Sequence, residues 1–283
     1  MPELPEVEVL ARHLRPLIRG KTIRDVTVHR AKVLLPTRPR EFRRTLRGAK
    51  FIGLSRRGKY LLFQLRAKSG GKPISLLGHL GMTGRIFLAS KDWPLPKHTA
   101  VALDLGKNNL IYEDTRYFGR LTLDTSAVTR LGPEPLDDGF KADTFAQLLK
   151  RSRQAIKVRL LDQQLVAGVG NIYASEALFR ARISPRLAAN KLTIVQVRRL
   201  RLAIRVVLTE AIRYGSTVPL NLGGDKSDGL FYFGSAPDTP DFYEERLRVY
   251  DREGQPCPNC RQPIKRITQA ARSTFFCPYC QRI

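Results

Sequence analysis

Acidic residues are in short supply in this 283-residue chain: 25 Asp and Glu face 50 Lys and Arg, a formal charge of +25. A field of that sign repels basic partners and gathers polyanions, nucleic acid first among them; the bland alternative is a basic surface left to solvent. Cysteine is scarcer still. Four occur, all within the last 27 residues, which excludes a disulfide framework spread over the chain and suits a local metal site in a reduced compartment. Long apolar runs are missing: nothing approaches the ~20 residues of a membrane span, and the N-terminus lacks a basic segment followed by an apolar one. The expectation is a cytoplasmic protein with no membrane partner. No internal repeat or low-complexity array is visible, so a solenoid is excluded. What is present is 42% hydrophobic residues, enough for packed cores and too many for a disordered basic tail. At this length two cores are the soft expectation.

The stretch Met1-Pro2-Glu3-Leu4-Pro5-Glu6-Val7-Glu8 has chemistry that depends on being a terminus. Pro2 is small enough for the initiator Met to be trimmed, and trimming exposes a secondary amine beside Glu3. An α-amine titrates near pH ~8 and a lysine near ~10.4, so at pH 7 the terminal amine is the better nucleophile. Being secondary, it captures a carbonyl-level carbon as a permanently cationic iminium, an electron sink suited to eliminations. The same residues also suit an ordinary helix start, with Pro and acids in the first turn. The octapeptide alone does not decide between the two.

Val7, Leu10, Ala11, Leu14, Leu17 and Ile18 recur at helical spacing up to Gly20, predicting one amphipathic helix with Pro16 kinking its last turn. From Lys21 to about Leu123 short period-two runs follow: 23–28, 51–55, 60–65, 74–77, 101–105 and 110–112. Runs so closely spaced predict an antiparallel sandwich or barrel. Three of its loops carry unusual residues: Arg56 to Lys59 is a basic turn, Gly78 to Gly84 is Gly-rich with Met82 at its tip, and Asp114 to Gly119 joins Arg116 to Tyr117 and Phe118. Each loop is compatible with surface or core filling as well as with a site. Leu131 to Leu136 has the breakers of an interdomain linker. Beyond it the pattern predicts helices over 144–150, 155–166, 172–181 and 193–214, with Gly168 or Gly170 closing one helix and Asn171 capping the next. In the last helix Arg198, Arg199, Arg201 and Arg205 lie opposite the apolar stripe, a face compatible with plain solvation. Ser216 to Tyr243 reads as a Gly/Pro/Asp-rich loop around Phe231-Tyr232-Phe233.

The tail gives the sharpest local signal. Cys257-x2-Cys260 and Cys277-x2-Cys280 have the spacing of a four-cysteine zinc ribbon, in which two turns pinch one tetrahedral ion. Four thiolates leave no place for water, so one structural Zn2+ is the expectation. Lys265, Arg266 and Arg272 make this ribbon basic and point it toward phosphate.

Together, the N-terminal octapeptide, Arg57-Gly58-Lys59-Tyr60-Leu61, His79-Leu80-Gly81-Met82, Gly132-Pro133-Glu134-Pro135-Leu136, Gly170-Asn171-Ile172-Tyr173-Ala174-Ser175-Glu176 and the cysteine tail resemble the formamidopyrimidine-DNA glycosylase family. These are bacterial enzymes that remove 8-oxoguanine and ring-opened purines. The likeness runs from residue 2 to the last cysteine pair with the motifs in family order. It implies an α+β multidomain fold: an N-terminal antiparallel β-sandwich with a leading helix (1–130), a helix-two-turn-helix domain with a lesion-capping loop (131–243) and a zinc finger (244–283). The partner it implies is double-stranded DNA carrying oxidised bases or abasic sites, held in the cleft between domains by a monomer.

The family roles fall on matching positions of this sequence. Pro2 would attack C1′, Glu3 would be the acid that helps open the sugar, Lys59 would assist β-elimination and Arg272 δ-elimination. His98 and Asn171 resemble phosphate contacts, and Arg153 and Glu6 are implied as further DNA-binding residues. Met82, Arg116 and Phe118 resemble the residues that fill the space of an everted base, which must leave the stack to be reached. The sequence departs from the pattern at Tyr117, where a basic residue is usual, at Thr115, often Pro, and over Gly223 to Pro240. Leu4 favours the purine-lesion branch, since the sister endonuclease VIII enzymes generally carry Gly there. Two alternatives stay open: an endonuclease VIII-like preference for oxidised pyrimidines, and a zinc-ribbon DNA-binding protein without catalysis. The second has no use for a trimmed terminal amine.

Overall fold

The structure, a computed structural model, describes residues 2–68, 70–215 and 247–282; the expected loop from Ser216 to Tyr243, with Phe231-Tyr232-Phe233, lies outside them. The chain forms two compact units. One holds Pro2 and Glu6–Thr129; the other holds Glu3–Pro5, residues 130–215 and residues 247–282. No described helix is long and apolar enough to cross a membrane.

The first unit begins on helix α1 (Leu4–Ile18), which runs through Pro16 and stops before Gly20, whose φ of +80° reverses the chain. Strands β1 (Asp25–Val28), β2 (Lys50–Arg57), β3 (Tyr60–Arg66), β4 (Ile74–His79), β5 (Gly84–Ser90), β6 (Thr99–Asp104), β7 (Asn108–Asp114) and β8 (Arg120–Thr122) follow, with helix α2 (Pro39–Leu46) between β1 and β2. They build two four-stranded antiparallel sheets, β2-β3-β4-β8 and β1-β6-β7-β5. The sandwich expected from the period-two runs is therefore present. Its inward residues, among them Phe51, Phe63, Leu76, Ile86, Val101 and Ile111, are buried. Among the elements that were not expected, three show why. In β5 the run Ile86-Phe87-Leu88 hides the alternation, β8 is three residues long, and α2 has only Phe42 and Leu46, one turn apart, to mark it.

The first unit ends on a short helix α3 (Ser126–Thr129); the second holds α4 (Ala142–Lys150), α5 (Ile156–Leu160), α6 (Asn171–Arg180), α7 (Ile194–Gly215) and a hairpin of β9 (Lys265–Gln269) and β10 (Arg272–Phe276). The helix expected over 155–166 ends at Leu160. Asp162 explains this: its Oδ1 accepts the N–H of Gln164 at 2.8 Å, an Asx turn that competes with the helical ladder. Gln163 then braces the two turns that follow, donating to the carbonyls of Leu161 and Val169 and accepting the N–H of Gly168 at 2.9 Å. The arginine face of α7 is not all solvated. Arg201 donates to the Phe140 carbonyl, and Arg205 to those of Pro135 and Asp137 at 3.0 and 2.9 Å, while Arg198 and Arg199 are exposed.

One buried carboxylate ties α6 to the segment that leads into the cysteine-rich tail. Glu176 is buried and accepts the backbone N–H groups of Arg248, Val249 and Tyr250 at 2.9, 2.9 and 2.8 Å. Burial pushes its carboxyl above the usual range, and the three donors pull against that. Each donor left unsatisfied costs about 1–3 kcal/mol, so Glu176→Ala should lower the unfolding free energy by at least about 3 kcal/mol in a denaturant titration. A loss below about 1 kcal/mol would mean that water replaces the carboxylate and the clamp does not hold the segment.

Candidate active site

The N-terminus of α6 gathers three of the sequence-predicted residues. An α-helix leaves its first N–H groups without intrahelical partners. Here Glu3 takes them: its carboxylate accepts Gly170 N–H at 2.7 Å, Ile172 N–H at 2.9 Å and Tyr173 N–H at 3.4 Å. The expected cap, Asn171, is instead the first helical residue, because a carboxylate far away in sequence already occupies the capping position. The approach is so close that a Cβ on Gly170 would collide with the Glu3 carboxyl. Gly168 has a φ of +87° and accepts the Leu4 N–H at 3.1 Å; a Cβ there would lie 2.6 Å from the Leu4 side chain. The breakers in Gly168-Val169-Gly170 thus serve to seat Glu3 and Leu4.

Released from capping, Asn171 works as a connector. Its Oδ1 accepts the Lys157 ammonium at 2.6 Å, and its Nδ2 donates to the carbonyl of Ser273 at 2.9 Å. Ser273 follows Arg272, which is exposed at the start of β10. The two residues that turn the chain into β10, Ala270 and Ala271, both have left-handed φ values, +47° and +56°. Such a two-residue turn matches the strand twist but is strained for residues other than Gly, Asn or Asp. Lys157 is buried. Burial lowers its pKa to about 8, with the Glu3 carboxylate pulling it back up and Arg272 pressing it down further. Nothing in the sequence marks Lys157, which sits in an ordinary-looking helical run.

The four cysteines form one cluster whose sulfurs all lie within 4.8 Å of one another. Cys257 and Cys280 are 3.9 Å apart and Cys260 and Cys277 3.4 Å. A disulfide needs about 2.05 Å, whereas a tetrahedron of thiolates about 2.3 Å from an ion has sulfurs about 3.8 Å apart. The donor set therefore fits a metal. Burial and the neighbouring sulfurs push the Cys280 thiol far up, so four thiolates coexist here only around a cation. Phe275 packs with Val249, Ile264, Cys257 and Cys277 in the small core beneath the cluster.

In the first unit Met82 and Phe118 are 48% and 51% exposed, which excludes a core role for either. Arg116 joins them, its guanidinium 4.7 Å from the Phe118 ring centre and its Nη1 3.3 Å from the Met82 sulfur. Two loops must abut for this. Gly81, at φ +60°, approaches Gly119 so closely that a Cβ would lie 2.7 Å from the Gly119 nitrogen. Buried Asp114 fastens both loops, accepting from Thr83 Oγ1 at 2.6 Å and from the N–H groups of Arg116 and Gly119 at 3.1 and 2.8 Å. Tyr117, at φ +52°, lies edge-on to His98 with ring centres 6.5 Å apart and carries the Arg30 guanidinium 5.4 Å from its ring centre. At the position where the family usually carries a basic residue, the Tyr117 ring gathers Arg30 and His98.

Lys59 is buried at the β2–β3 turn, next to Gly58 at φ +56°. It faces His79, whose pKa falls to about 4 through burial and then through the Lys59 and Arg120 charges. The neutral ring accepts the Gly81 N–H at Nδ1, 3.2 Å away, and so steadies the Met82 loop. Glu8 holds Arg56 in the same turn through an ion pair of 2.8 Å. Pro2 is buried. Glu6, like Pro2, Glu3 and Lys59, is buried. Arg153 stands exposed between α4 and α5.

Lys157 offers a test of the network in its own unit. Its folded pKa of about 8 lies below the ordinary 10.5, so between those values the unfolded chain holds the proton that the folded chain has lost. Stability then rises with pH across that window. The unfolding free energy of the native protein minus that of Lys157→Met should increase between about pH 8 and 10.5; a flat difference would mean that Lys157 titrates as if in water.

Three family models cover the chain: the formamidopyrimidine-DNA glycosylase N-terminal domain over residues 1–121, its H2TH domain over 131–220, and a zinc finger found in FPG and IleRS over 254–283. The formamidopyrimidine-DNA glycosylase of Thermus thermophilus is 44% identical over 99% of this chain and 98% of its own length; that of Desulfitobacterium hafniense is 40% identical over 99% and 100%. Among solved structures, the Lactococcus lactis enzyme bound to DNA containing an AP site superposes with a TM-score of 0.85 at 33% identity, covering 99% of this chain and 100% of that one. Its complex with N7-benzyl-Fapy-dG DNA gives 0.86 at 34% identity over the full length of both. With every segment matched in order and two sheets, helices and a cysteine cluster in place, the chain belongs to the formamidopyrimidine-DNA glycosylase family.

Proposed function

We propose that this chain is a bifunctional DNA glycosylase and AP lyase of base excision repair that excises oxidised purines, 8-oxoguanine and formamidopyrimidines, through the Pro2 amine. The observation that carries the reading is the seat of Glu3. Three N–H donors fix its carboxylate, and the amine of Pro2 is one peptide unit away, so the nucleophile is tethered to an immobilised acid. The amine attacks C1′ and the bond from C1′ to the base breaks, with Glu3 supplying the proton that opens the sugar at O4′. The resulting iminium draws electrons from C2′. Loss of the C2′ proton, assisted by Lys59, expels the 3′ phosphate in β-elimination. Arg272 assists the second, δ-elimination that expels the 5′ phosphate.

The remaining roles follow the same reading. His98 and Asn171 contact phosphate, with Arg30 on its Tyr117 platform standing in for the basic residue the sequence lacks. Met82, Arg116 and Phe118 form one exposed cluster, suited to the space left by an everted base. The cysteines hold one structural Zn2+, and residues 1–130, 131–243 and 244–283 act as catalytic, helical and finger domains of a cytoplasmic monomer. Leu4, packed on Gly168, supports the purine-lesion preference over an endonuclease VIII-like one.

Borohydride tests the nucleophile. Reduction of the iminium should leave a stable protein–DNA adduct, and a residue added before Pro2 should abolish it, because an amide does not attack. Glu3→Gln should slow base release while trapping on a preformed abasic site persists. Efficient trapping by the extended protein would move the assignment to a lysine, Lys59 first.

The wedge reading is tested separately. Met82→Ala and Phe118→Ala should each reduce excision of 8-oxoguanine at least tenfold while binding to undamaged duplex changes less than about twofold, since such residues act only after eversion. Equal losses on damaged and undamaged DNA would sink that reading.

A further inference from the structure

The sheet that carries the Met82 and Phe118 loops has a second functional end. Strands β5 and β7 pair from Gly84↔Asp114 to Ser90↔Asn108, and the Met82, Arg116 and Phe118 loops leave from the Gly84 end. Six residue steps along, on the order of 20 Å, the other end opens into a depression of about 260 Å³. Its lining combines three leucines, Leu17, Leu88 and Leu105, with three cations, Lys21, Arg24 and Lys107, and Asn108. Leu17 is 40% exposed although it belongs to the apolar stripe of α1.

The cations here are not matched by local acids. Asp104 is held by the Lys91 ammonium at 2.7 Å and by the Gly106 N–H at 2.7 Å, with Arg24 adding a weaker attraction, and Asp25 lies 3.8 Å from the Arg47 guanidinium. Lys21 and Lys107 enter no ion pair among the described residues. Lys91 N–H donates to the Lys107 carbonyl at 3.0 Å, and the loop that starts there exposes Trp93 and Leu95.

Three leucines have no use on a surface that only tracks phosphates, whose contacts are polar and charged. The depression is also smaller than the about 300–1,000 Å³ of ordinary small-molecule sites, so it admits about one side chain. We propose that this end of the sandwich docks a short acidic segment of a partner protein that carries one aliphatic or aromatic anchor. The anchor enters between the leucines, and the acidic neighbours meet Lys21, Arg24 and Lys107. Such a division, a buried apolar anchor with a charged rim, gives affinity through the anchor and encounter rate through the rim. The proposal does not rest on the reaction assigned above.

The test uses the full-length metal-loaded protein and a fluorescein-labelled peptide, Asp-Asp-Glu-Asp-Leu-Phe, followed by anisotropy. Saturable one-to-one binding is expected, at least tenfold weaker for Lys21→Glu/Lys107→Glu and at least fivefold weaker for Leu17→Ser or for a peptide ending in Ser-Ser. Arg199→Glu, an exposed charge on α7, should leave it unchanged. The peptide should stay bound when abasic-site duplex saturates the protein. Displacement by that duplex would make the depression part of the DNA track and overturn the proposal. So would absence of binding, equal weakening by Arg199→Glu, or self-association of the free chain abolished by the same lysine variants.

Discussion

A carboxylate 167 residues upstream closes the N-terminus of α6, and most of what the second unit presents is arranged from that contact. The partial positive charge of a helix start favours an anion, and Gly170, with no side chain of its own, leaves the position to Glu3. Because Glu3 supplies the cap, Asn171 is free to join Lys157 on α5 to Ser273 on β10. Glu3, α5 and the hairpin bearing Arg272 therefore share one fixed point. Glycine at 168 and 170 is the condition for it, since any side chain there would meet Leu4 or Glu3.

The scarcity of acids gains a second meaning in this light. Many of the few that exist are turned inward and spent on backbone N–H groups. Glu3 takes three, Glu176 takes three, and Asp114 takes two plus the Thr83 hydroxyl. A carboxylate accepts without donating, so it can collect several N–H groups that converge where a loop or helix begins. Each such use removes an anion from the surface. The surface is thus more basic than the composition alone would make it, because some of the few acids are spent on fastening the fold.

The parts that were legible in the sequence are those in which neighbours in sequence are neighbours in space. The cysteine spacing specifies its cluster, and the period-two runs specify most strands of the sandwich. The stripe Leu200, Ile204, Leu208, Ala211 and Ile212 is buried along α7 as its period requires. Long-range bonds left no such trace. Nothing local distinguishes Arg201 and Arg205, which hold the 135–140 segment, from Arg198 and Arg199, which are exposed. Asn171 has the composition of a cap and Ala155 to Val166 that of a helix, and in each case a side chain invisible to periodicity, Glu3 or Asp162, decides otherwise. For the candidate site the resemblance pointed to Glu3, Asn171 and Arg272, while the contacts that tie Glu3 and Asn171 to α6 and β10 and the platform of Tyr117 appear only in three dimensions.

The hairpin that bears Arg272 shows how these constraints combine. Its turn, Ala270-Ala271, is held in a conformation that alanine disfavours by roughly 1–2 kcal/mol per residue, so something else must impose it. Five residues pair across β9 and β10, too few to stand alone in water. Beneath them lies only a small core, in which Tyr250 meets Phe275 edge-on with ring centres 5.1 Å apart. Further restraints hold the hairpin. Cys277, directly after β10, belongs to the cysteine cluster, Ser273 accepts from Asn171, and Gln269, just before the turn, donates to the Pro185 carbonyl at 3.3 Å. Glu176 fastens the segment that contributes Val249 and Tyr250 to the same core. The position of Arg272 is therefore set jointly by an ion at one end of its strand and by the α6 junction at the other, which couples a structural metal to a candidate catalytic side chain without the metal touching the reaction.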